Sequence, residues 1–271
     1  MRELERELPT DAARVAENPP IPPVAIIGPG RVGHSIATAA ERAGVPVRLA
    51  GRDDAVEACR EAQVALLCVP DAEIHSACEA AARAVPPIRS AGHTSGATTL
   101  DVLAPARAAG AELFSLHPLQ TIPDGETELV GDWCAVAGST EGALQLARQL
   151  GDVLGMRPFS VPEERRAAYH AAAAMASNLL VALEESAAAV LDDTGASATG
   201  RELLAPLVLR TAANWAERGA EGLTGPIARG DAETIERHLE ALRDAAPELI
   251  PVYESLTERA RVLAGAVEAV R

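Results

Sequence analysis

The sequence predicts an α/β chain in which a doubly wound, mostly parallel sheet is followed by an all-helical second domain. Short apolar runs alternate with helix-like segments as far as Leu154, and the run over residues 64–69 is apolar throughout, as a strand covered on both faces requires. Beyond Pro162 only helical patterns follow. The predicted domains are a mobile extension over 1–20, a sheet domain over 21–161 and a helical domain over 162–271.

Periodicity and breakers place the individual elements. Gly44 closes the first helix and Pro86-Pro87 ends the third, whereas residues 163–193 hold no breaker and predict one long helix. Predicted strands cover 24–27, 45–50, 64–69, 88–91, 113–116 and 133–137. Predicted helices cover 31–43, 54–61, 71–84, 100–109, 141–154, 163–193, 201–219, 231–243 and 247–270.

The first strand runs into a turn with the pattern G-x-G-x-x-G. Its first glycine allows a tight strand-to-helix turn, its second lets a pyrophosphate approach the backbone, and its third lets helix pack on strand. The helix N-terminus that follows favours phosphate binding. In this βαβ setting the pattern predicts a Rossmann dinucleotide site, with contacts from Gly28, Gly30, Arg31, Val32 and Gly33.

The end of the second strand predicts which dinucleotide binds. NAD sites carry an acidic residue there. In this chain the strand is followed by Gly51-Arg52, and the first acidic residue after it is Asp53. Arg52 can bind a 2′-phosphate through two hydrogen bonds, and Arg31 can add another, so NADP(H) is expected. Both could instead be ordinary surface arginines. Val69, Pro70 and Asp71, after the third strand, are expected beside the nicotinamide half.

Composition excludes several classes of function. A net charge of −15 and two each of Trp, Tyr and Phe argue against nucleic-acid binding. The chain contains no lysine, which excludes Schiff-base chemistry and a lysine general acid. The four cysteines show no metal-ligand spacing, so no metal is expected. No span-length apolar run and no signal peptide are apparent, so a cytoplasmic protein without a membrane partner is expected.

Polar residues after the predicted strands are candidates for chemistry. Ser95 and His117 follow two strands at the sheet edge where substrates bind, and an imidazole at His117 could donate a proton to a carbonyl oxygen. His170 and Asn178 lie on the long helix and could border one cleft, or Asn178 could make an interhelical hydrogen bond. Thr224 and Arg229, in a Gly-Pro-rich turn, could face substrate or a partner subunit, or only cap helices.

The motifs together resemble a known family. The glycine turn, residues 93–97 and 116–120, the segment from Tyr169-His170 to Ser177-Asn178, and Leu-Thr-Gly-Pro-Ile-Ala-Arg-Gly-Asp are similar to Rossmann-like proteins with the C-terminal domain of unknown function 2520. The resemblance spans about residues 21–260. These proteins look like relatives of the 6-phosphogluconate dehydrogenase-like superfamily, which includes ketopantoate and pyrroline-5-carboxylate reductases. The superfamily implies a homodimer formed through the helical domain.

One departure from the superfamily affects the expected chemistry. Its β-hydroxyacid dehydrogenases place a lysine four residues before an asparagine that resembles Asn178, but here that position is Ala174. His117 or His170 is therefore expected to supply the proton. We expect an NADPH-dependent reductase of a small 2-oxo acid, with ketopantoate as first candidate, Ser95 and Asn178 orienting the oxygen, and Arg229 holding the carboxylate. Imine reduction, or a regulatory NADP-binding dimer without turnover, are the alternatives.

Overall fold

The computed structural model describes residues 20–270, so all but the last residue of the predicted extension lies outside the described part of the chain. The chain divides into a sheet unit, which ends at Ala174, and a helical unit, Met175–Arg271. The sequence predicts this boundary after residue 161. The sheet unit extends further because the first turn of the following helix carries Arg166, whose side chain is fully buried among residues of the sheet.

The sheet unit is built on a seven-stranded sheet in the order β2-β1-β3-β4-β5-β6-β7. Every neighbouring pair is parallel except β5 with β6, which is antiparallel. The mostly parallel, doubly wound sheet that the sequence predicts is therefore confirmed. The strands are β1 (Val24–Ile27), β2 (Val47–Ala50), β3 (Val64–Leu67), β4 (Ser90–His93), β5 (Glu112–Pro118), β6 (Trp133–Gly138) and β7 (Arg157–Ser160).

Helices cover both faces of this sheet and bury two apolar clusters. Alternation along β1 shows the arrangement, since Ala25 and Ile27 lie in one cluster and Val24 and Ile26 in the other. All four residues are buried, which explains why the strand is apolar throughout. The helices are α1 (Arg31–Arg42), α2 (Ala55–Arg60), α3 (Ile74–Ala81), α4 (Ala104–Ala108), α5 (Glu141–Val153) and α6 (Arg166–Ala176).

Several details of the sheet unit differ from the sequence-based expectation. The fifth strand runs to Pro118 rather than ending at 116, so His117 lies within the strand and not after it. The fourth strand lies at Ser90–His93 rather than 88–91, so His93 is part of the strand and not of the loop after it. The strand β7 was not predicted. It contains Pro158, which has no N–H to donate, and it lies at the edge of the sheet, where such a residue is tolerated.

The described part of the helical unit consists of helices and turns. The long helix expected over 163–193 is interrupted at Ser177, whose φ of −128° and ψ of −82° leave the helical region. Serine favours such interruptions because its hydroxyl competes for backbone hydrogen bonds. The helices are α7 (Asn178–Asp192), α8 (Gly200–Arg218), α9 (Gly225–Ala228), α10 (Ala232–Ala245) and α11 (Ile250–Val270).

One segment of the described chain, Glu163–Asp192, is long and apolar enough by length and composition to cross a membrane. Its mean hydropathy reaches 1.3 over 18 residues, of which 6% are buried. The expectation that no apolar segment reaches this length was therefore too strict. The start of the segment is nevertheless tied to the sheet unit, because the Glu163 carboxylate accepts a hydrogen bond from the Leu100 amide at 2.7 Å.

Candidate active site

The glycine turn between β1 and α1 has the geometry that a phosphate site requires. Gly28 has a φ of +115°, and a Cβ there would collide with the Cys68 carbonyl at the end of β3. A Cβ on Gly33 would collide with the Gly28 carbonyl, so the third glycine allows α1 to pack on the turn. Nothing lies within 4 Å of a Cβ on Gly30, which leaves open space above the turn. The first turn of α1 contains no acidic residue that would repel an anion.

Basic side chains near the turn already have partners. Nη1 of Arg31 donates to the Pro123 carbonyl at 3.5 Å, in the loop that follows β5. Nη2 of Arg52, two residues beyond β2, forms an ion pair with the Glu73 carboxylate. Both members of this pair are about half-exposed.

Residues beyond β3 and β4 form one hydrogen-bonded turn. The Ser95 hydroxyl is 2.9 Å from both the Asp71 carboxylate and the Thr98 hydroxyl, and it accepts from the Thr98 amide at 3.0 Å. Thr98 donates to the same Asp71 oxygen at 3.1 Å. Val69 is half-buried and Pro70 exposed on the approach to Asp71. The Ser95 hydroxyl is therefore already hydrogen-bonded to other residues of this turn.

The rings of His117 and His170 come together beside Gly96. Nδ1 of His117 lies 2.7 Å from the Tyr169 hydroxyl, and the His117 and His170 ring centroids are 5.8 Å apart, edge to face. A Cβ on Gly96 would lie 2.8 Å from Nε2 of His117 and 2.5 Å from Cδ2 of His170. Position 96 therefore has to be glycine for both rings to keep these places.

A buried arginine ties α6 to the strand ends. The Arg166 side chain is 0% exposed, and its Nη1 donates to the Ser115 hydroxyl at 2.8 Å while Nη2 donates to the Ser95 carbonyl. Glu163, 3.8 Å away, supplies a negative charge for the guanidinium. A buried charge needs such partners, because removing it from water is costly.

Burial sets the protonation of this cluster. The pKa of His117 is lowered to about 4, mainly by burial and next by the charges of His170 and Arg166, against the opposing effect of Asp71. The pKa of His93 also falls to about 4, through burial and then Arg166. Burial raises the pKa of Tyr169 to about 12. At neutral pH His93, His117 and Tyr169 are therefore uncharged.

The remaining candidates lie in the helical unit and have local contacts. Asn178 begins α7, is exposed, and its Oδ1 accepts from the Ser177 hydroxyl at 3.1 Å. Thr224 and Arg229, both exposed, flank the short helix α9. Asp231 is the N-cap of α10 and accepts a hydrogen bond from the Thr234 amide.

The structure thus brings together Asp71, Ser95, His117 and His170 within the sheet unit. No role in the site was assigned from the sequence to Gly96, Tyr169, Arg166 or Glu73, although Gly96 and Tyr169 lie in segments that carry the family resemblance. Tyr169 precedes His170, and Arg166 follows another arginine at the start of an alanine-rich helix, so both looked like ordinary helix-surface residues. Among residues 20–270, no group of three or more His, Cys, Asp or Glu side chains could hold a metal ion.

Two family models match this chain. Residues 50–118 match a Rossmann-like domain, and residues 133–260 match DUF2520, a domain of unknown function. No curated protein matches the chain.

Solved structures of similar fold include two bacterial proteins and a fungal enzyme. The NADP oxidoreductase candidate BF3122 of Bacteroides fragilis is 20% identical, with a TM-score of 0.73 over 89% of this chain and 98% of that one. Protein TM1727 of Thermotoga maritima is 20% identical, with a TM-score of 0.72 over 90% and 99%. The reductive aminase of Aspergillus terreus, solved with NADPH, is 16% identical, with a TM-score of 0.66 over 92% and 99%.

At these identities the similarity establishes the fold, and the family models establish the domains. The resemblance expected from the sequence motifs is therefore confirmed: the chain joins a Rossmann-like domain to a domain of the DUF2520 family.

Proposed function

We propose that this protein is an NADPH-dependent oxidoreductase that reduces a small 2-oxo acid. The observation that carries the proposal is the order of features along one edge of the sheet. Arg52 follows β2, the glycine turn follows β1, Asp71 follows β3, and His117 lies at the end of β5. A dinucleotide bound along the carboxyl ends of these strands runs from Arg52 across the turn toward the histidines.

The glycine turn fits the pyrophosphate of such a cofactor. Open space at Gly30 admits the phosphates, and the N-terminal amides of α1 can donate to them. Arg52 is proposed to bind the 2′-phosphate, and NADP-related proteins among the structures of similar fold support this choice. Arg31, Val32, Val69 and Pro70 are proposed to line the same groove. When bound, the cofactor supplies a hydride to the substrate carbon.

The histidine pair is proposed to act on the substrate oxygen. His117 is neutral at pH 7, so with the Tyr169 hydroxyl donating to its Nδ1, Nε2 carries the hydrogen and can donate a hydrogen bond to a carbonyl oxygen. His170 is the alternative donor, since its ring adjoins the same space at Gly96. We assign Ser95 a positioning role, because its hydroxyl is already bound to Asp71 and Thr98.

Roles for residues of the helical unit stay predictions. Asn178 is proposed to orient the substrate, and Thr224 and Arg229 are proposed to bind its carboxylate. Such roles predict a raised KM for the 2-oxo acid when Arg229 becomes alanine, with the Kd for NADPH unchanged.

Reduction of an imine is the second candidate, and the neutral state of His117 favours it. An iminium carbon accepts a hydride without a separate proton donor, whereas a ketone needs one, and a histidine whose pKa is about 4 is a poor source of protons at pH 7. An imine reductase of Aspergillus terreus also shares the fold, at 17% identity and a TM-score of 0.60.

The helical unit is further proposed to pair with a second copy of the chain. In its described part the buried hydrophobic residues are Ala188, Ile235, Leu239 and Ala246. A larger number of large apolar side chains is exposed there, including Leu179, Val181, Leu203, Leu207, Leu209 and Trp215. Exposed apolar faces of this extent are typical of subunit interfaces. Analytical ultracentrifugation of the purified chain checks this proposal, with a dimer as the expected result.

A substrate panel tests the catalytic proposal. Purified protein is given NADPH with 2-oxo acids, ketopantoate first, and with cyclic imines, and NADPH oxidation is followed. Turnover of a 2-oxo acid supports the proposal, whereas turnover of imines alone supports the second candidate. Tight NADPH binding without turnover of any compound would overturn both and favour a regulatory NADP-binding protein.

A further inference from the structure

The ion pair between Arg52 and Glu73 spans the strand that leads into the glycine turn. Arg52 follows β2, and Glu73 ends the 3₁₀ turn Asp71–Glu73 that follows β3. Both strands pair with β1 at the same level, since Ile27 is in register with Ala50 on one side and with Leu67 on the other. The two side chains therefore meet above the end of β1, beside the proposed cofactor groove.

The Glu73 carboxylate is bound to the Arg52 guanidinium, which is the same hydrogen-bonding group that a 2′-phosphate would use. Carboxylate and phosphate oxygens both bind a guanidinium by charge-assisted hydrogen bonds, so they compete for Arg52. A ribose 2′-hydroxyl carries no charge, and it can donate a hydrogen bond to that same carboxylate.

Nearby arginines of the sheet unit do not offset this competition. Arg48 pairs with Glu61 at 3.9 Å, and Arg60 pairs with Glu57 at 2.9 Å. Arg31 is directed to the Pro123 carbonyl. Among these arginines Arg52 is the one proposed to bind the 2′-phosphate, so its pairing with Glu73 bears on the choice between phosphorylated and unphosphorylated cofactor.

We propose that Glu73 is a specificity-determining residue that weakens the preference of this site for NADP(H) over NAD(H) by binding Arg52 in the cofactor-free protein. This inference rests on the proposed function, because it assumes that the groove binds a dinucleotide. It adds a second residue, from a different strand end, to the recognition of the 2′-position.

Calorimetric titration of the purified full chain with NADPH and with NADH tests the proposal. Exposed ion pairs contribute at most about 1 kcal/mol, so Glu73→Gln is expected to tighten NADPH binding by up to about fivefold. NADH binding is expected to stay the same or to weaken. Glu57→Gln is the matched control, because it removes an exposed glutamate that pairs with a different arginine of the same unit, and it should change neither Kd.

A double-mutant cycle separates the specific effect from a general change in charge. In an Arg52→Gln background, Glu73→Gln is expected to change the Kd for NADPH less than twofold, because the competed group is gone. An equal gain for NADPH and NADH, or a gain that persists without Arg52, would overturn the inference while leaving the proposed function intact. A wild-type protein that binds neither dinucleotide would overturn the proposed function and this inference with it.

Discussion

The neighbouring strands β4 and β5 both carry a histidine at their carboxyl end, but the two rings lie in different surroundings. His93 is 0% exposed and its Nδ1 accepts from the Ser95 amide at 3.2 Å, within its own turn. His117 is half-buried, and its Nδ1 contacts a distant side chain, the Tyr169 hydroxyl. Its Nε2 adjoins the space that Gly96 leaves free. Position at the sheet edge is shared by both rings, so partner and exposure are what distinguish His117, the proposed catalytic group, from His93.

Replacing each histidine by glutamine tests this comparison, and the fall in kcat for His117→Gln is the largest effect we expect. For His117→Gln we expect kcat to fall on the order of 10² to 10⁴-fold, the usual contribution of an acid–base group. For His93→Gln we expect kcat of the folded protein to change only a few-fold. Its free energy of unfolding should fall by about 1 to 3 kcal/mol, because a buried hydrogen-bonding group is replaced.

The measurements are kcat on the active substrate, the Kd for NADPH and the urea midpoint of both variants. The Kd is the control, since neither histidine is proposed to bind the cofactor. If His93→Gln lowered kcat as much as His117→Gln, the two strand ends would not differ in function and the assignment would fail.

Filling the space at Gly96 tests the site without removing a polar group. In Gly96→Ala the new methyl group would press on the tips of the His117 and His170 rings, which are able to move aside. We expect kcat to fall on the order of 10²-fold, since a displacement of about 1 Å can cost that much. The Kd for NADPH should not change.

The matched control for that variant is Gly265→Ala on α11, where a Cβ would meet nothing within 4 Å. Wild-type kcat in Gly96→Ala would show that the histidine rings do not act at this position, and the proposed proton donors would have to be abandoned.

Local sequence patterns were enough to predict the sheet and the cofactor turn, but not the partners of the catalytic candidates. Gly28 and Gly33 follow from backbone requirements that a motif records directly. The Tyr169 hydroxyl reaches His117 across 52 positions, and Glu73 reaches Arg52 across 21. Such pairs depend on which strand ends become neighbours, and no local spacing encodes that.

The burial of Arg166 is a second feature that local sequence patterns did not predict. An arginine in an alanine-rich helical segment is expected on the surface, yet this one is fully buried. Its hydrogen bond to the Ser115 hydroxyl explains the burial, and Ser115 lies 51 positions away. The segment therefore looked like part of the helical domain, although its first turn is packed on the sheet.

The last effect we predict is on stability against pH, and it applies to both histidines. The ordinary pKa of 6.5 falls to about 4 in the folded state for His93 and His117. Between these values the unfolded chain binds more protons, so the free energy of unfolding decreases as pH falls through this window and is fully regained above it. Each histidine contributes at most about 1.4 kcal/mol per pH unit there.

Urea unfolding at about pH 7 and about pH 5 measures this dependence. Fluorescence of Trp133 on β6 reports the sheet unit when Trp215 is replaced by phenylalanine. In each single His→Gln variant, the slope of the unfolding free energy against pH should decrease by an amount equivalent to up to one bound proton. In the double variant it should decrease by both contributions. Glu202 and Asp231, whose pKa values are lowered by hydrogen bonds, are common to every variant and cancel in the comparison. A His117→Gln variant that kept the wild-type slope would show that His117 is not held neutral, and would restore the imidazolium as the proton donor for a ketone.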